Sequence, residues 1–337
     1  MKLDVIIRRS GDLRHDVEQI IVAEQLGFDG AWVTETAYNP FFALTVAAKA
    51  TAKIMLGTIC AHAFPRSPMV TAQIAWDLAR QSEGRFALGL GFGAPASLVS
   101  QSSGELDDAA GRMREYVESL RAIWDTFQTD ARLRYRGAYY QFRLMAPFFN
   151  PGPISHPAIP VYLASAAPSM FQLAGARFNG LHAPLFHTPS YLRAVVLPAL
   201  AAGAPPDDRS RNTMTLIVPA LIVSGKTRDE MRQSEAAARA RLARRGSEPA
   251  FRQVMRHHGW ERRAAALRQL ASANSQHEPH DLISDEMLRE FAIVAAAGDA
   301  YRSIIERYDG LADRVCLEWD AEKRELFETI AASRRAE

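Results

Sequence analysis

Three short segments of the sequence carry side chains suited to proton transfer or anion binding. The first is Glu35-Thr36-Ala37-Tyr38-Asn39-Pro40. A carboxylate there is either a general base or polar anchor, or it caps the next helix or pairs with an arginine. The second is Ala61-His62-Ala63-Phe64-Pro65-Arg66. His62 has the residue type to give or take a proton near neutrality, or it is a plain hydrogen-bonded loop residue. Arg66 can hold an anion or form an ion pair. The third is Ser165-Ala166-Ala167-Pro168, small residues ahead of a helix. Free N–H groups and the helix dipole make such a start a phosphate cradle, and simple close packing is the alternative. His182 and His187 add two more imidazoles, with His187 a second candidate proton donor. No pair of histidines shows the tight spacing of a metal motif, so no metal is expected. Gly89-Leu90-Gly91-Phe92-Gly93-Ala94 fits a loose dinucleotide pattern. It lacks the acid that should follow about 20 residues later at a strand end. The glycines read instead as points where backbone approaches a flat ligand closely.

Each segment follows an apolar run. Eight such runs are expected as strands, at 3–7, 30–34, 54–60, 85–90, 161–163, 180–183, 214–223 and 314–319. Helical patterns separate nearly all of them, as in Val17, Ile20, Ile21 and Ala23 ahead of Gly27. Alternating strands and helices predict a parallel sheet, and eight units predict a (β/α)₈ TIM barrel in the α/β class. In such a barrel the site lies just beyond the strand C-termini. The sequence has 337 residues, more than the roughly 250 a bare barrel needs. The surplus is expected as two insertions in one domain spanning 1–337. One, at about 127–160, is Pro- and aromatic-rich and reads as a lid. The other, at about 226–298, is Ala/Arg-rich and reads as helical.

Lysine and arginine total 40 against 38 acidic residues, which excludes a nucleic-acid binder driven by bulk charge. Cys60 and Cys316 are the two cysteines, far apart, which suits a reducing cytoplasm. No apolar run is long enough for a bilayer. An aromatic mouth is expected from Phe64, Phe92, Phe148, Phe149, Phe186 and Trp319.

The series Gly27-Phe28-Asp29-Gly30-Ala31-Trp32-Val33-Thr34-Glu35, Leu56-Gly57-Thr58, Arg66-Ser67-Pro68 and Ser82-Glu83-Gly84-Arg85-Phe86-Ala87-Leu88-Gly89-Leu90-Gly91 resembles the luciferase-like monooxygenase superfamily. Tyr139-Tyr140, Val161-Tyr162-Leu163-Ala164 and Leu173-Ala174-Gly175 continue it, and the likeness is nearest to the branch using the deazaflavin coenzyme F420. The resemblance implies a dimeric luciferase-like barrel with an isoalloxazine-like ring at the strand C-termini. It implies a bulged third strand, often with a non-proline cis peptide, at Ile59-Cys60. It maps ring contacts to Phe92-Gly93 with Ala94 and Ser97 beyond, the phosphate to Ser165-Ala166-Ala167, and the polar ring edge to Glu35 and Thr36. Relatives carry a stronger acid/base beside the position of Thr36, or a glutamate where Ala94 stands. The proton donor of those relatives therefore does not carry over, and either His62 takes its place or the substrate needs little help. The implied activity is hydride transfer between deazaflavin C5 and an electrophilic carbon of a small organic molecule, a dehydroalanine-containing peptide among the candidates. The alternatives are an FMN-dependent monooxygenase and a non-catalytic flavin- or deazaflavin-binding barrel.

Overall fold

The computed structural model describes residues 1–92, 108–204, 214–272 and 279–336. Runs of apolar and β-branched residues form β1 (Lys2–Ile7), β2 (Gly30–Val33), β3 (Met55–Thr58), β4 (Ala61–His62), β5 (Phe86–Gly91), the pair β6 (Tyr135–Arg136) and β7 (Gln141–Phe142), β8 (Val161–Ala164), β9 (Gly180–His182), β10 (Thr215–Val223), β11 (Ala292–Val294) and β12 (Arg314–Glu318). β1, β2, β3, β5, β8, β9, β10 and β12 each lie parallel to the next, and β12 returns to pair with β1. This is the expected closed (β/α)₈ barrel.

Inside the barrel, Ile6, Trp32, Ala87, Tyr162, Ile217 and Cys316 form a core of their own. Beneath them Arg314 donates twice to Asp4, at 2.6 and 2.7 Å, and Trp32 Nε1 donates to Asp4 at 2.8 Å. That buried charge is thus paired and hydrogen-bonded, as burial requires. Helices cover the outside. Their starts follow local chemistry: Asn39 caps Pro40–Ala50 and Ser67 caps Pro68–Gln81, each with proline in the first turn.

Two expectations need correction. The run 54–60 is not one strand. β3 stops at Thr58, a cis peptide joins Ile59 and Cys60, and β4 resumes against β5 through Ala61↔Leu90 and His62↔Gly91. This is the implied bulge. The region 226–298 is not wholly helical, because β11 lies in it and pairs with the outer end of β10 through Leu221↔Ala292. β10 is long enough, at nine residues, to serve both the barrel and this extra strand. Segment 127–160 is a β6–β7 hairpin followed by irregular chain and a short 3₁₀ turn, Pro147–Phe149. Glu115 holds the hairpin turn by accepting from the backbone N–H of Ala138, Tyr139 and Tyr140.

Candidate active site

The strand C-termini bring Glu35, His62 and Arg66 together at one side of the mouth. Arg66 grips both carboxylate oxygens of Glu35, with Nη1 at 2.8 Å from Oε2 and Nη2 on Oε1. Oε2 also accepts from the backbone N–H of His62 at 2.7 Å. Arg66 Nη1 donates on to the His62 carbonyl at 3.0 Å. Of the two readings of Glu35, the arginine partner is the one realised. Three hydrogen bonds hold the carboxylate, two on Oε2 and one on Oε1, and they favour a clamp tying the end of β2 to β4 over the expected catalytic base. The His62 ring stays outside this clamp. Its Nδ1 lies 4.0 Å from Glu35 Oε2, and the side chain is 19% exposed. Thr36 is exposed at the rim.

The neighbouring wall is built from β3, β4, β5 and β8. Ile59 and Cys60 are half-buried at the cis peptide. Burial pushes the Cys60 thiol up to about 11, and the Glu35 charge adds to the effect, so it stands as a neutral thiol. The glycine reading needs correction. A Cβ on Gly89 would strike the Thr58 carbonyl oxygen, and one on Gly91 would strike Cys60 Sγ. Those two glycines admit the protein's own atoms, not a ligand. Thr58 and Gly89 are also cross-linked, Thr58 Oγ1 donating to the Gly89 carbonyl at 2.7 Å. Phe92 meets Phe64 edge to face at 5.5 Å, and the Arg112 guanidinium lies 4.4 Å from the Phe64 ring. Gly93, Ala94 and Ser97 lie outside the described residues.

Ser165 and Ala166 are half-buried beyond β8, and Ala167 is exposed. They lead into the helix Pro168–Arg177, whose first turn has no side-chain cap. The Ser165 hydroxyl accepts from Ala167 N at 3.2 Å. The Met170 N–H already donates to the Ala167 carbonyl at 2.9 Å and Pro168 has none to give, so what suits a phosphate here is the helix dipole, the absence of a side-chain cap and the small residues at an open rim.

Two histidines do not reach the mouth. His187 is buried, with Nδ1 2.7 Å from the Pro184 carbonyl and Nε2 3.2 Å from the Tyr308 hydroxyl. Burial pushes it down to about 4. A neutral imidazole with both nitrogens engaged is a structural residue, so its candidacy as proton donor is corrected. His182 is sealed inside the barrel, 4.6 Å from the Trp32 ring and 5.6 Å from that of Tyr162. Burial, with Arg314 adding, pushes it down to about 3. Phe186 also leaves the expected mouth, since it packs on Phe251 and Phe291 in the outer core. Phe148 and Phe149 stand exposed on the insertion.

The opposite side of the mouth holds what the sequence reasoning missed. A cavity of about 320 Å³ lies between the ends of β1, β2, β10 and β12 and the helix Arg324–Ala336. Arg8, Thr34, Arg241, Glu318 and Trp319 are among its lining residues. Glu318 binds two guanidinium groups, Arg241 on Oε1 and Arg8 at 3.6 Å from Oε2. Arg8 and Glu318 were findable, because both sit at the end of a strand. Arg241 comes from a distant helix and leaves no local signal. Among the described residues no cluster of metal-ligating side chains occurs, and no helix is long and apolar enough to cross a membrane.

The fold and this mouth define a class of barrel protein with a bulged third strand and an uncapped helix start after the fifth barrel strand. The chain belongs to the luciferase-like monooxygenase family, whose sequence model matches residues 2–314. An uncharacterized protein of Mycobacterium tuberculosis is 33% identical over 315 residues, covering 94% of this chain and 92% of its own. A 5,10-methylenetetrahydromethanopterin reductase of Archaeoglobus fulgidus is 26% identical over 298 residues, covering 86% and 84%. The structure of the coenzyme F420-dependent tetrahydromethanopterin reductase of Methanopyrus kandleri superposes with a TM-score of 0.80 at 20% identity, covering 98% of this chain and 97% of that one.

Proposed function

We propose that this protein is an F420-dependent oxidoreductase, working as an F420H2-dependent reductase on a C=C, C=N or C=O carbon of a small organic or natural-product molecule. The observation that carries this reading is the pairing, on one rim, of the Ile59–Cys60 bulge with the uncapped helix start at Ser165-Ala166-Ala167. Ile59 and Cys60 stand half-buried on one part of that rim and small residues lead into the uncapped helix start on another, so the residues present fit the coenzyme. The relatives described above support a flavin-type cofactor, and the choice of the deazaflavin over FMN is our own reading. The bound deazaflavin supplies the hydride at C5.

The chain's own residues supply position and a proton. The Arg66–Glu35 clamp fixes the His62 backbone and so points the imidazole from the end of β4. His62 gives the product its proton. The Phe64–Phe92 pair keeps water from that edge. Glu35, gripped by Arg66, sets the field without itself moving a proton. Ile59, Cys60, Phe92, Ser165, Ala166 and Ala167 form the coenzyme wall, with Thr36 at its polar edge.

The protein acts as a homodimer in this reading. Phe42 and Val46 share one face of Pro40–Ala50, and both are exposed. Exposed apolar residues of this kind mark contact surfaces when they cluster.

The test is His62→Ala assayed with F420H2 and small enones or imines. The clamp uses the His62 backbone, so the variant keeps its fold. Turnover falls by roughly 10²–10⁴. An unchanged rate across the pH range removes His62 from the reaction, and no turnover by wild type on any reducible partner removes the reductase reading.

A further inference from the structure

We propose that the cavity between β1, β2, β10 and β12 is a subsite for an anionic group, a carboxylate or a phosphate, on the molecule this protein acts upon. Its role as a substrate subsite rests on the reductase reading, but its anion chemistry does not.

Position comes first. The coenzyme wall occupies the β3, β4, β5 and β8 side, with its phosphate cradle at Ser165-Ala166-Ala167. The cavity opens on the other side of the same mouth, and Thr34 of the β2 end borders both it and the Glu35 clamp. A volume of about 320 Å³ is at the small end of the range for small-molecule sites, roughly 300–1,000 Å³.

The lining is rich in donors. Arg8, Arg241 and Lys323 face two carboxylates, Glu318 and Asp320, leaving one positive charge in excess. Glu318 is shared between two guanidinium groups, so an incoming anion can take Arg8 while Arg241 keeps its partner. Arg8 is suited to this. Its side chain is 68% exposed, and its ion pair is the loose one at 3.6 Å. A guanidinium presents five N–H groups in a planar fork that matches a carboxylate or phosphate edge.

Two lining residues add buried polar atoms. Thr34 Oγ1 and Trp319 Nε1 have no hydrogen-bond partner among the described residues. The indole N–H can only donate. Both atoms lie just beneath the accessible surface of the lining, left without a partner by the packing there. Ile6 and Ala220 give the same cavity an apolar floor for a carbon skeleton.

Saturation-transfer NMR on the protein without coenzyme tests this, with cinnamate, its neutral methyl ester and phenyl phosphate as probes. At least one of the two anions binds tenfold or more tightly than the ester. Cinnamate alone identifies a carboxylate site, phenyl phosphate alone a phosphate site, and both a general anion site. Arg8→Gln abolishes the preference and Arg8→Lys keeps part of it. Glu318→Gln, which removes the competing carboxylate, tightens the anion several-fold, a gain that a purely structural Arg8 would not give. The proposal is overturned if neither anion outbinds the ester, or if Arg8→Gln leaves the preference intact. Titrating the same preparations with F420 separates the two readings, since loss of coenzyme binding sinks the reductase and leaves the anion site standing.

Discussion

The two sides of the barrel mouth are built on opposite plans. Around β3, β4, β5 and β8 the backbone closes every gap it can. Gly89 leaves room for the Thr58 carbonyl, Gly91 leaves room for Cys60 Sγ, and Arg66 donates to both oxygens of Glu35. Around β1, β2, β10 and β12 the packing stops short. Thr34 Oγ1 and Trp319 Nε1 go unpaired there, as both His182 nitrogens do on β9, and two arginines share one acid beside an open volume. The first side is closely packed, and the second leaves charged side chains beside an open volume.

Substitutions can break that contrast. The largest effect belongs to Gly89→Ala. The new methyl meets backbone, which has nowhere to go, so the barrel loses about 3 kcal/mol, the upper end for over-packing. Thermal unfolding reads this as a drop of several degrees, and a variant as stable as wild type would show that the wall has slack.

An intermediate effect comes from the seam between the sides, where β9 carries His182. Its folded pKa of about 3 lies below the ordinary value near 6.5. The unfolded chain therefore binds the proton first as pH falls. The stability this group contributes is complete above about pH 6.5 and drains away towards pH 3, by an amount on the order of a few kcal/mol. His182→Leu flattens that acid limb in denaturant titrations run from pH 7 to 4. An acid limb as steep as that of wild type would place the loss elsewhere.

The smallest effect belongs to the open side. Thr34→Val removes an unpaired hydroxyl while keeping the shape, so stability stays level or rises by under about 1 kcal/mol. A clear loss of stability would mean that the hydroxyl already has a partner, and the two sides would then be less unlike.

The barrel was legible because its signals are local. Apolar runs alternate with helical periodicity, and Asn39-Pro40 and Ser67-Pro68 announce helix starts. The bulge at Ile59–Cys60 came from the resemblance, since nothing in that apolar run marks a break. Short β11 was hidden in an Ala/Arg-rich stretch because three residues carry too little pattern. Site residues divided by the range of their partners. Glu35, His62 and Arg66 are marked by their place after strands, yet their roles depend on a pairing between Glu35 and Arg66, 31 positions apart. His187 failed as a candidate because its burial under Tyr308 involves a residue 121 positions away. The cavity was invisible for the same reason, being closed by a helix from the far end of the chain.

The account stands on one side of the mouth being a deazaflavin wall. Fluorescence titration of the purified protein with oxidised coenzyme F420, with FMN in a parallel cell, addresses it directly. Saturable binding of F420, tighter than that of FMN, is the predicted result. Tight FMN binding with oxygen consumption on reduction, and no saturation by F420, would contradict it.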